Sequence, residues 1–263
     1  MTVKPPLSVD AQDEVTRMAL WAGQLLLQHG AETTLVESAI HRLGCALGCD
    51  WVDAAITANA IVITTTSNER FVTKARRVVD RGIDMRRVSD VERLCVMAEK
   101  RIIDVAEVRR RLRFISDRAR PYNRYLVVLM IGLSCAAFSR LAGGDWPVFA
   151  VTFVASAAAM LVRQEIAHKH FSPLINFTVA AAVATSIAAL ASAFRLGDKP
   201  QLAMVASVLL LVPGFPFMNA ISDMVKGHVN VGLARWTFAL LLSTCVALGI
   251  LLAMNLTGVW GWI

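Results

Sequence analysis

Charged residues are scarce in the second half of this chain. Residues 125–263 contain 7 Lys or Arg and 4 Asp or Glu, against 20 and 16 in residues 1–124. A water-soluble domain needs far more charge than this, and the mean hydropathy of the whole chain is +0.55. The composition therefore predicts an integral membrane protein whose first half alone can be exposed to water.

Three other features are missing from the sequence. The five cysteines are an odd number spread over both halves, which excludes the pattern of a secreted disulfide framework and favours a reducing environment for the first half. Residues 1–6 lead into a polar, charged helix and not into a short apolar cleavable signal, so insertion is expected to start at internal spans. No Walker motif is present, which argues against ATP drive from this chain, and we expect no cofactor.

Five segments are long and apolar enough to cross a bilayer, which needs about 20 residues. They are residues 126–142, 146–162, 174–194, 202–225 and 237–256. Tryptophans at the span ends fit the role of interfacial anchors. These are Trp146, Trp236, Trp260 and Trp262.

The cations that flank the spans predict the orientation of the chain. Alternation places eleven of them on the N-terminal side and only three, Arg140, Arg195 and Lys199, on the opposite side. The eleven are Arg109, Arg110, Arg111, Arg113, Arg118, Arg120, Arg124, Arg163, Lys169, Lys226 and Arg235. The positive-inside rule then predicts a cytoplasmic domain at residues 1–120 and a five-span domain at residues 121–263, with the N-terminus inside and the C-terminus outside.

Residues 1–120 are predicted to form a small α+β domain. Ser8 can cap a helix that runs to about Gln28, and Thr34 with Glu37 has the capping-box pattern that opens a second helix ending near Gly48. Residues 51–66 are rich in β-branched and small residues, and a turn at Ser67 and Asn68 leads into residues 71–79, so two or three antiparallel strands are predicted. Further helices are predicted from Ser89 and from Asp104.

Two groups of residues in this domain could form a metal site or a catalytic site, but each has a simpler structural interpretation. His41, Cys45 and Cys49 share helical spacing, yet no fourth ligand follows, so small buried cysteines are favoured over a metal site. His29, Glu32 and Glu37 could suggest a hydrolase, but no nucleophile motif accompanies them, so capping and salt bridging are favoured. We therefore predict no catalytic and no metal-binding residue.

The arginines before Tyr125 could bind nucleic acid or anionic lipid headgroups. Each such Arg contributes about 1 kcal/mol of attraction to an anionic leaflet. The topology signal and the lipid surface explain the cluster without nucleic acid, so no nucleic-acid partner is predicted.

The fourth span contains an interruption. Pro213, Gly214 and Pro216 remove backbone hydrogen bonds that lipid cannot replace, so the break must be covered by protein or line a wet cavity. A half-helix that starts near Pro216 presents free N–H groups, which favour an anion, and Asn219 and Asp223 lie four apart on its one face. The alternatives are an inert proline kink and an Asp223 that lies at the membrane interface and merely pairs with Lys226 or Arg235.

This interruption leads to a predicted substrate site for a small anion. Arg163 and Arg235 offer charge at the cytoplasmic mouth, and Asn176 could contact substrate or equally make an interhelical hydrogen bond. Asp223 could carry a proton if transport is proton-coupled. The predicted substrate-binding residues are Pro213, Gly214, Phe215, Pro216, Asn219, Asp223, Arg163, Arg235 and Asn176.

Several motifs resemble the bacterial threonine/serine exporter family. They are LLVPGFPFMNA at residues 210–220, LQHGAET at 27–33, NAIV at 59–62, RGI at 81–83, Arg163 with Gln164, and single matches at Glu37, Asp223, Lys226, Gly227, His228, Gly232, Ala234, Arg235 and Trp236. The resemblance is closest to the larger subunit of a two-subunit exporter of succinate and related dicarboxylates. It implies an inner-membrane protein with a cytoplasmic domain and five spans, which works with a smaller membrane subunit as a hetero-oligomer.

The resemblance leaves the substrate open between dicarboxylates and the amino acids threonine and serine. Two rival functions are a membrane-anchored hydrolase and a ligand sensor that signals through the spans. The hydrolase reading would require a nucleophile or metal set, and the sensor reading gives no reason for the proline-rich break.

Overall fold

The computed structural model describes residues 7–79, 82–119 and 122–259. Trp260, Trp262, Arg81 and Arg120, which the sequence analysis used, lie outside these residues. The chain forms two compact units. Unit 1 contains Met1–Ala119 and Phe215–Trp236, and unit 2 contains Arg120–Gly214 and Thr237–Ile263.

Unit 1 combines helices with a small antiparallel sheet. Its elements are α1 (Val9–Gln28), α2 (Thr33–Ala46), β1 (Trp51–Ile56), β2 (Ala60–Ser67), β3 (Arg70–Arg77), α3 (Met85–Glu99), α4 (Val105–Asp117), nearly all of α9 (Gly214–Val225) and the first part of α10 (Val229–Thr257). The side chains of Ser8, Asp84 and Asp104 cap α1, α3 and α4, each by accepting a backbone N–H three residues later. Local cap chemistry therefore sets the start of three helices.

The sheet has the order β1-β2-β3, with both pairs antiparallel. Ile61 and Ile63 of β2 point to the same side, because side chains alternate along a strand, and both are fully buried. They join a core that includes Leu26 of α1, Ile40 of α2 and Leu94 of α3. This confirms the predicted α+β class and the three-stranded alternative.

Unit 2 consists of helices with long apolar faces. It contains α5 (Arg124–Leu141), α6 (Trp146–His168), α7 (Pro173–Ala193), α8 (Gln201–Val208), a 3-10 turn (Leu209–Leu211) and the remainder of α10. Alanines fill its buried positions, and small residues let helices approach closely in lipid. A Cβ on Gly249 of α10 would clash with the backbone of α7, which shows how near these two helices run.

The structure supports a multi-pass membrane protein. In the described part of the chain, four helices (α5, α6, α7 and α10) are long and apolar enough to span a bilayer. The bent pair formed by Gln201–Leu211 and Gly214–Val225 would make a fifth span if it crosses as one.

Several predicted boundaries were wrong. The capping box at Thr34 does not form, because α2 begins at Thr33 and its N-cap residue Glu32 makes no side-chain cap. Helix α3 begins at Met85, four residues before Ser89, because Asp84 caps it. Helices α6 and α10 extend beyond their apolar windows, since polar residues continue the helix outside the hydrophobic segment.

Candidate functional site

The predicted helix break is present. The 3-10 turn ends at Leu211, Val212 adopts an extended conformation with ψ of 119°, and α9 begins at Gly214. Pro213 has no N–H to donate, and the N–H of Gly214 bonds to the carbonyl of Val212 at 2.8 Å in place of a helical partner. Phe215 and Pro216 therefore lie in the first turn of α9, which begins two residues earlier than predicted.

Helix α9 has one buried polar face. Asn219 is 8% exposed and Asp223 is 0% exposed, and their spacing of four places them on the same side of the helix, as predicted. Met218, Ile221 and Val225 are exposed apolar residues of the same helix. Burying a carboxylate costs free energy unless it is paired and hydrogen-bonded, so the role of this face depends on the groups that contact Asn219 and Asp223.

The partners come from the turn between α1 and α2. The side-chain amide of Asn219 donates to the carbonyl oxygen of Gly30 at 2.8 Å. The backbone N–H of Thr33, the first residue of α2, donates to Oδ1 of Asp223 at 2.9 Å. Gly30 has a φ of +88°, a conformation that glycine adopts without strain and that turns the chain from α1 toward α2.

Arg235 of α10 completes this arrangement. Its Nη1 donates to Oδ2 of Asp223 at 2.6 Å, and its Nη2 donates to the carbonyl oxygen of Ala31 at 3.1 Å. Both oxygens of Asp223 are thus engaged, and the buried negative charge has a positive partner. We call Gly30, Ala31, Thr33, Asn219, Asp223 and Arg235 the turn–helix cluster.

Two further ion pairs lie beside the turn–helix cluster. Lys226 pairs with Glu32, and Nε2 of His228 lies 3.4 Å from Oε2 of Glu37. Lys226 holds the pKa of Glu32 below its ordinary value; burial acts in the opposite direction, and a hydrogen bond from Ser222 lowers the pKa further. The salt-bridging role predicted for Glu32 is confirmed, although Glu32 makes no side-chain cap, and the contact of Glu37 is an ion pair only when His228 is protonated.

His29 also takes a structural role. Its Nε2 lies 3.1 Å from Nη1 of Arg87, and its Nδ1 lies 3.3 Å from the carbonyl oxygen of Gly82. The backbone carbonyl of His29 accepts from Asp84 at 3.2 Å. These contacts tie the end of α1 to the start of α3.

A close approach of α9 and α10 holds Asp223 and Arg235 in place. A Cβ on Gly232 would lie 2.5 Å from Cγ of Met224 and 2.7 Å from the carbonyl oxygen of Ala220. The rings of Phe217 and Trp236 meet edge to face with centroids 5.0 Å apart. Gly232 therefore permits the close contact between α9 and α10, and the Phe217–Trp236 pair is a second contact between the same two helices.

The remaining polar candidates lie at the junction of α6 and α7 in unit 2. The side-chain amide of Asn176 donates to the backbone carbonyl of Arg163 at 3.1 Å, which is the interhelical hydrogen bond that the sequence analysis offered as an alternative. The guanidinium of Arg163 lies over the ring of Phe177, 4.7 Å from its centroid. Gln164, next to Arg163, donates to the carbonyl of Arg124 at 3.2 Å. We call Arg163, Gln164 and Asn176 the polar corner.

Four of the nine predicted site residues, Pro213 to Pro216, form the break, and the five polar ones fall into two groups. Asn219, Asp223 and Arg235 come together in unit 1, whereas Arg163 and Asn176 come together in unit 2. Sequence reasoning missed the partners of the first group in residues 30–33 and the position of Gln164. The motif LQHGAET at residues 27–33 resembles a family feature in the sequence, but nothing in the sequence indicates that it contacts α9.

No metal centre emerges from the structure. Within residues 7–79, 82–119 and 122–259, no group of three or more His, Cys, Asp or Glu residues could hold a metal ion. Sγ of Cys45 lies 3.8 Å from Nε2 of His41, whose ring packs edge to face against Trp51. These contacts indicate that His41 packs against Cys45 and against β1.

Comparison with known proteins gives consistent matches. The family model described as "Putative threonine/serine exporter" matches residues 17–257. The chain is 46% identical over 252 residues to the "Probable succinate transporter subunit YjjP" of Klebsiella aerogenes, covering 95% of this chain and 97% of that protein. It is 44% identical over 258 residues to the protein of the same name in Escherichia coli K12, covering 98% and 100%.

A more distant relative is itself named a threonine/serine exporter. The "Probable threonine/serine exporter" of Mycobacterium tuberculosis is 23% identical over 204 residues, which cover 78% of this chain and 38% of that protein. No solved structure matches the chain.

Proposed function

This chain belongs to the threonine/serine exporter family, and we propose that it is one subunit of a secondary exporter that moves small organic acids of the succinate class out across the bacterial inner membrane. Two relatives that align over nearly their whole length carry the name of a succinate transporter subunit. The observation that carries the proposal is the helix break at Val212 and Pro213 within an apolar segment, because irregular backbone at membrane depth is tolerated only beside protein or a wet cavity.

The proposed topology has five spans, with α8 and α9 counted as one. Residues 1–120 form the cytoplasmic domain, and residues 121–263 form the transmembrane domain with its C-terminus outside. The excess of Lys and Arg on the N-terminal side of the spans supports this orientation. The arginines that precede α5 would then lie near anionic headgroups of the inner leaflet.

The proposed substrate contacts are of two kinds. The break formed by Pro213, Gly214, Phe215 and Pro216 would place the N-terminus of α9 next to an anion. Pro213 and Pro216 have no N–H and the N–H of Gly214 is bonded to Val212, so Phe215 would be the backbone donor among these four residues. Arg163 and Asn176 would supply a cation and an amide near the inner mouth of the bundle. A carboxylate on the substrate suits Arg163 because a guanidinium binds two oxygens side by side.

Asn219, Asp223 and Arg235 would contact substrate in a second state of the protein. In the present state all three side chains bind within the turn–helix cluster. A substrate carboxylate can replace Asp223 on Arg235, because both groups offer the same pair of oxygens. In this proposal the cytoplasmic domain restrains α9 until such an exchange occurs, and Asp223, once released, can carry a proton.

The proposed partner is a smaller membrane subunit of the same exporter. The word "subunit" in the names of the similar proteins supports a second chain. An odd number of spans in this chain would let a second unit enter the membrane with inverted topology, as alternating-access transporters require. The assembly is therefore a hetero-oligomer, and no cofactor is proposed.

Transport by the purified complex tests this function. The chain would be purified together with the smaller membrane subunit, placed in liposomes, and assayed with labelled succinate with and without a pH gradient. We expect succinate movement that depends on both subunits. Absence of movement of any small acid by an intact complex would contradict the proposal.

A variant at the break tests the site within that assay. Replacing Pro213 with Ala and Gly214 with Leu should join the two half-helices and abolish export. No atom lies within 4 Å of a Cβ built on Gly214, so a side chain can begin there without a clash at Cβ. Normal succinate export by the double variant, with equal membrane insertion, would reject the break as the site.

Threonine and serine export is the second candidate function. The family description and the Mycobacterium tuberculosis relative support it. Labelled serine and threonine in the same liposomes would separate the two, since preference for an amino acid over succinate would favour this candidate.

A further inference from the structure

Two amide oxygens are left without a hydrogen-bond donor at the polar corner. They are Oδ1 of Asn176 and Oε1 of Gln164, and both atoms are buried without a partner in the part of the chain that the structure describes. Asn176 as a whole is only 7% exposed. Burying an acceptor without a donor costs free energy, so each of these oxygens calls for a donor, which a water molecule or a bound substrate can supply.

The orientation of both amides is fixed by their other end. The NH2 group of Asn176 donates to the backbone carbonyl of Arg163, and that of Gln164 donates to the backbone carbonyl of Arg124. Rotating either amide would place one oxygen against another. The unpaired atoms are therefore oxygens, which can only accept a hydrogen bond.

A cation belongs to the same corner, since Asn176 bonds to the backbone of Arg163 and the guanidinium of Arg163 lies over Phe177, the residue after Asn176. No ion pair joins Arg163 to a carboxylate among the described residues, and its guanidinium packs on Phe177. The neighbouring Glu165 does not neutralise it, because Glu165 pairs with Arg124 at 3.3 Å. The polar corner thus combines a charge that attracts a carboxylate with two oxygens that require a donor.

We infer that the polar corner binds a small acid that presents a carboxylate to Arg163 and a hydrogen-bond donor to Asn176 and Gln164. This inference rests on the proposed function and specifies the chemistry of its substrate. A fully ionised dicarboxylate has no donor, so it would bind only in the form that retains one proton. An amino acid meets the same requirement through its ammonium group.

Two nearly matched acids test this requirement at constant pH. Succinamate carries one carboxylate and an amide N–H donor, whereas monomethyl succinate carries one carboxylate and an ester without a donor. In liposomes with the complete complex, we expect succinamate to inhibit labelled succinate transport at a concentration at least about ten-fold lower than monomethyl succinate, since one hydrogen bond is worth about that factor. Equal inhibition by the two acids would overturn the inference.

Variants of similar size identify the residues responsible. Asn176→Leu and Gln164→Met remove the amide oxygens, and each should reduce the preference for succinamate, whereas Arg163→Gln should weaken inhibition by both acids. Asn255→Leu is the matched control, because Asn255 also donates to a backbone carbonyl, at 2.9 Å, but is exposed. Assembly with the smaller subunit and the melting temperature would show that each variant is folded.

The outcomes separate this inference from the proposed function. If the wild-type complex transports succinate but both amide variants keep the full preference for succinamate, the two oxygens accept hydrogen bonds from water or protein. The inference would then be wrong, while the proposed function would stand. If the wild-type complex transports neither succinate nor serine nor threonine, both fail. Inhibition by serine equal to that by succinamate would assign the donor to an amino acid, and inhibition by succinamate alone would assign it to a protonated dicarboxylate.

Discussion

Asp223 accepts a hydrogen bond at 2.9 Å from the backbone N–H of Thr33, a residue 190 positions earlier in the chain. The contact places a carboxylate at the N-terminus of α2, where unpaired N–H groups and the helix dipole favour a negative charge. Glu32, the N-cap residue of α2, provides no side-chain cap of its own. A residue of α9 therefore stabilises the start of a helix in the N-terminal part of unit 1.

Replacing Asp223 with Asn should destabilise unit 1 strongly. The amide can still accept from Thr33, but its NH2 group faces the guanidinium of Arg235, whose partly buried charge loses its partner. Breaking a buried ion pair costs about 3–5 kcal/mol. We expect the melting temperature of the purified protein to fall by roughly 10 °C, measured by intrinsic fluorescence.

An exposed ion pair provides the control for Asp223. Glu99 lies 3.3 Å from Arg42, and its side chain is mostly exposed. Glu99→Gln should cost less than about 1 kcal/mol, because water screens such a pair. Equal losses for the two variants would mean that Asp223 is not buried as described.

Replacing Glu32 with Gln should remove an acid-sensitive part of the stability. The pKa of Glu32 is lowered by Lys226, so its contribution is present above the unfolded pKa near 4.5 and is lost as the pH falls through the lower folded pKa. The two side chains are 37% and 44% exposed, which limits the effect to at most about 1 kcal/mol.

The measurement is the melting temperature of wild type and Glu32→Gln between pH 7 and pH 3. The difference between the two proteins should be largest at neutral pH and vanish at the acid end. Lys226→Met should produce the same loss at neutral pH. A difference that stayed constant over the whole range would exclude this ion pair as its source.

Replacing Gly232 with Ala should separate α9 from α10. The added Cβ would meet the carbonyl oxygen of Ala220 at 2.7 Å, and backbone atoms cannot move away as a flexible side chain can. Overpacking of this kind costs about 1–3 kcal/mol. The control is Gly214→Ala, where the same change meets no atom within 4 Å, so a similar loss of thermal stability in both variants would argue against a steric cause.

Cys95 should resist alkylation in the folded protein. Burial raises the pKa of its thiol to about 12, so almost no thiolate exists at pH 8, and its Sγ faces the carbonyl of Ala39 at 3.8 Å. Mass spectrometry after iodoacetamide treatment should find Cys95 unmodified until a denaturant is added. Cys45, which is partly exposed, should be modified first, and the reverse order would contradict the fold of unit 1.

Features that depend on neighbouring residues could be predicted from the sequence. Ser8 caps α1 as expected, because an N-cap needs only a side chain and a backbone N–H three residues apart. The strand β2 follows from its β-branched composition, and the turn predicted at Ser67 and Asn68 is present one residue later, at Asn68 and Glu69. The common face of Asn219 and Asp223 follows from helical spacing alone.

Features that depend on distant residues could not be predicted. The start of α2 was placed two residues late, with Thr34 in place of Glu32 as the N-cap, because its real acceptor, Asp223, lies far along the chain. The alternative that Asp223 pairs with Arg235 is confirmed, but the binding of Arg235 to Ala31 had no sequence signal. The unpaired oxygens of Gln164 and Asn176 likewise depend on which carbonyls the packing of α6 and α7 brings near.

Because unit 1 draws on two separate stretches of chain, the contacts between the turn before α2 and α9 can form only after both stretches have been made. A ribosome adds about 5–20 residues per second, so Asp223 follows Thr33 by roughly 10–40 s. Throughout that interval the first turn of α2 lacks its acceptor while α5, α6 and α7 are already being made. The first turn of α2 should therefore be more open to proteases until Asp223 is in place, and a chain truncated before residue 223 should keep that turn protease-sensitive.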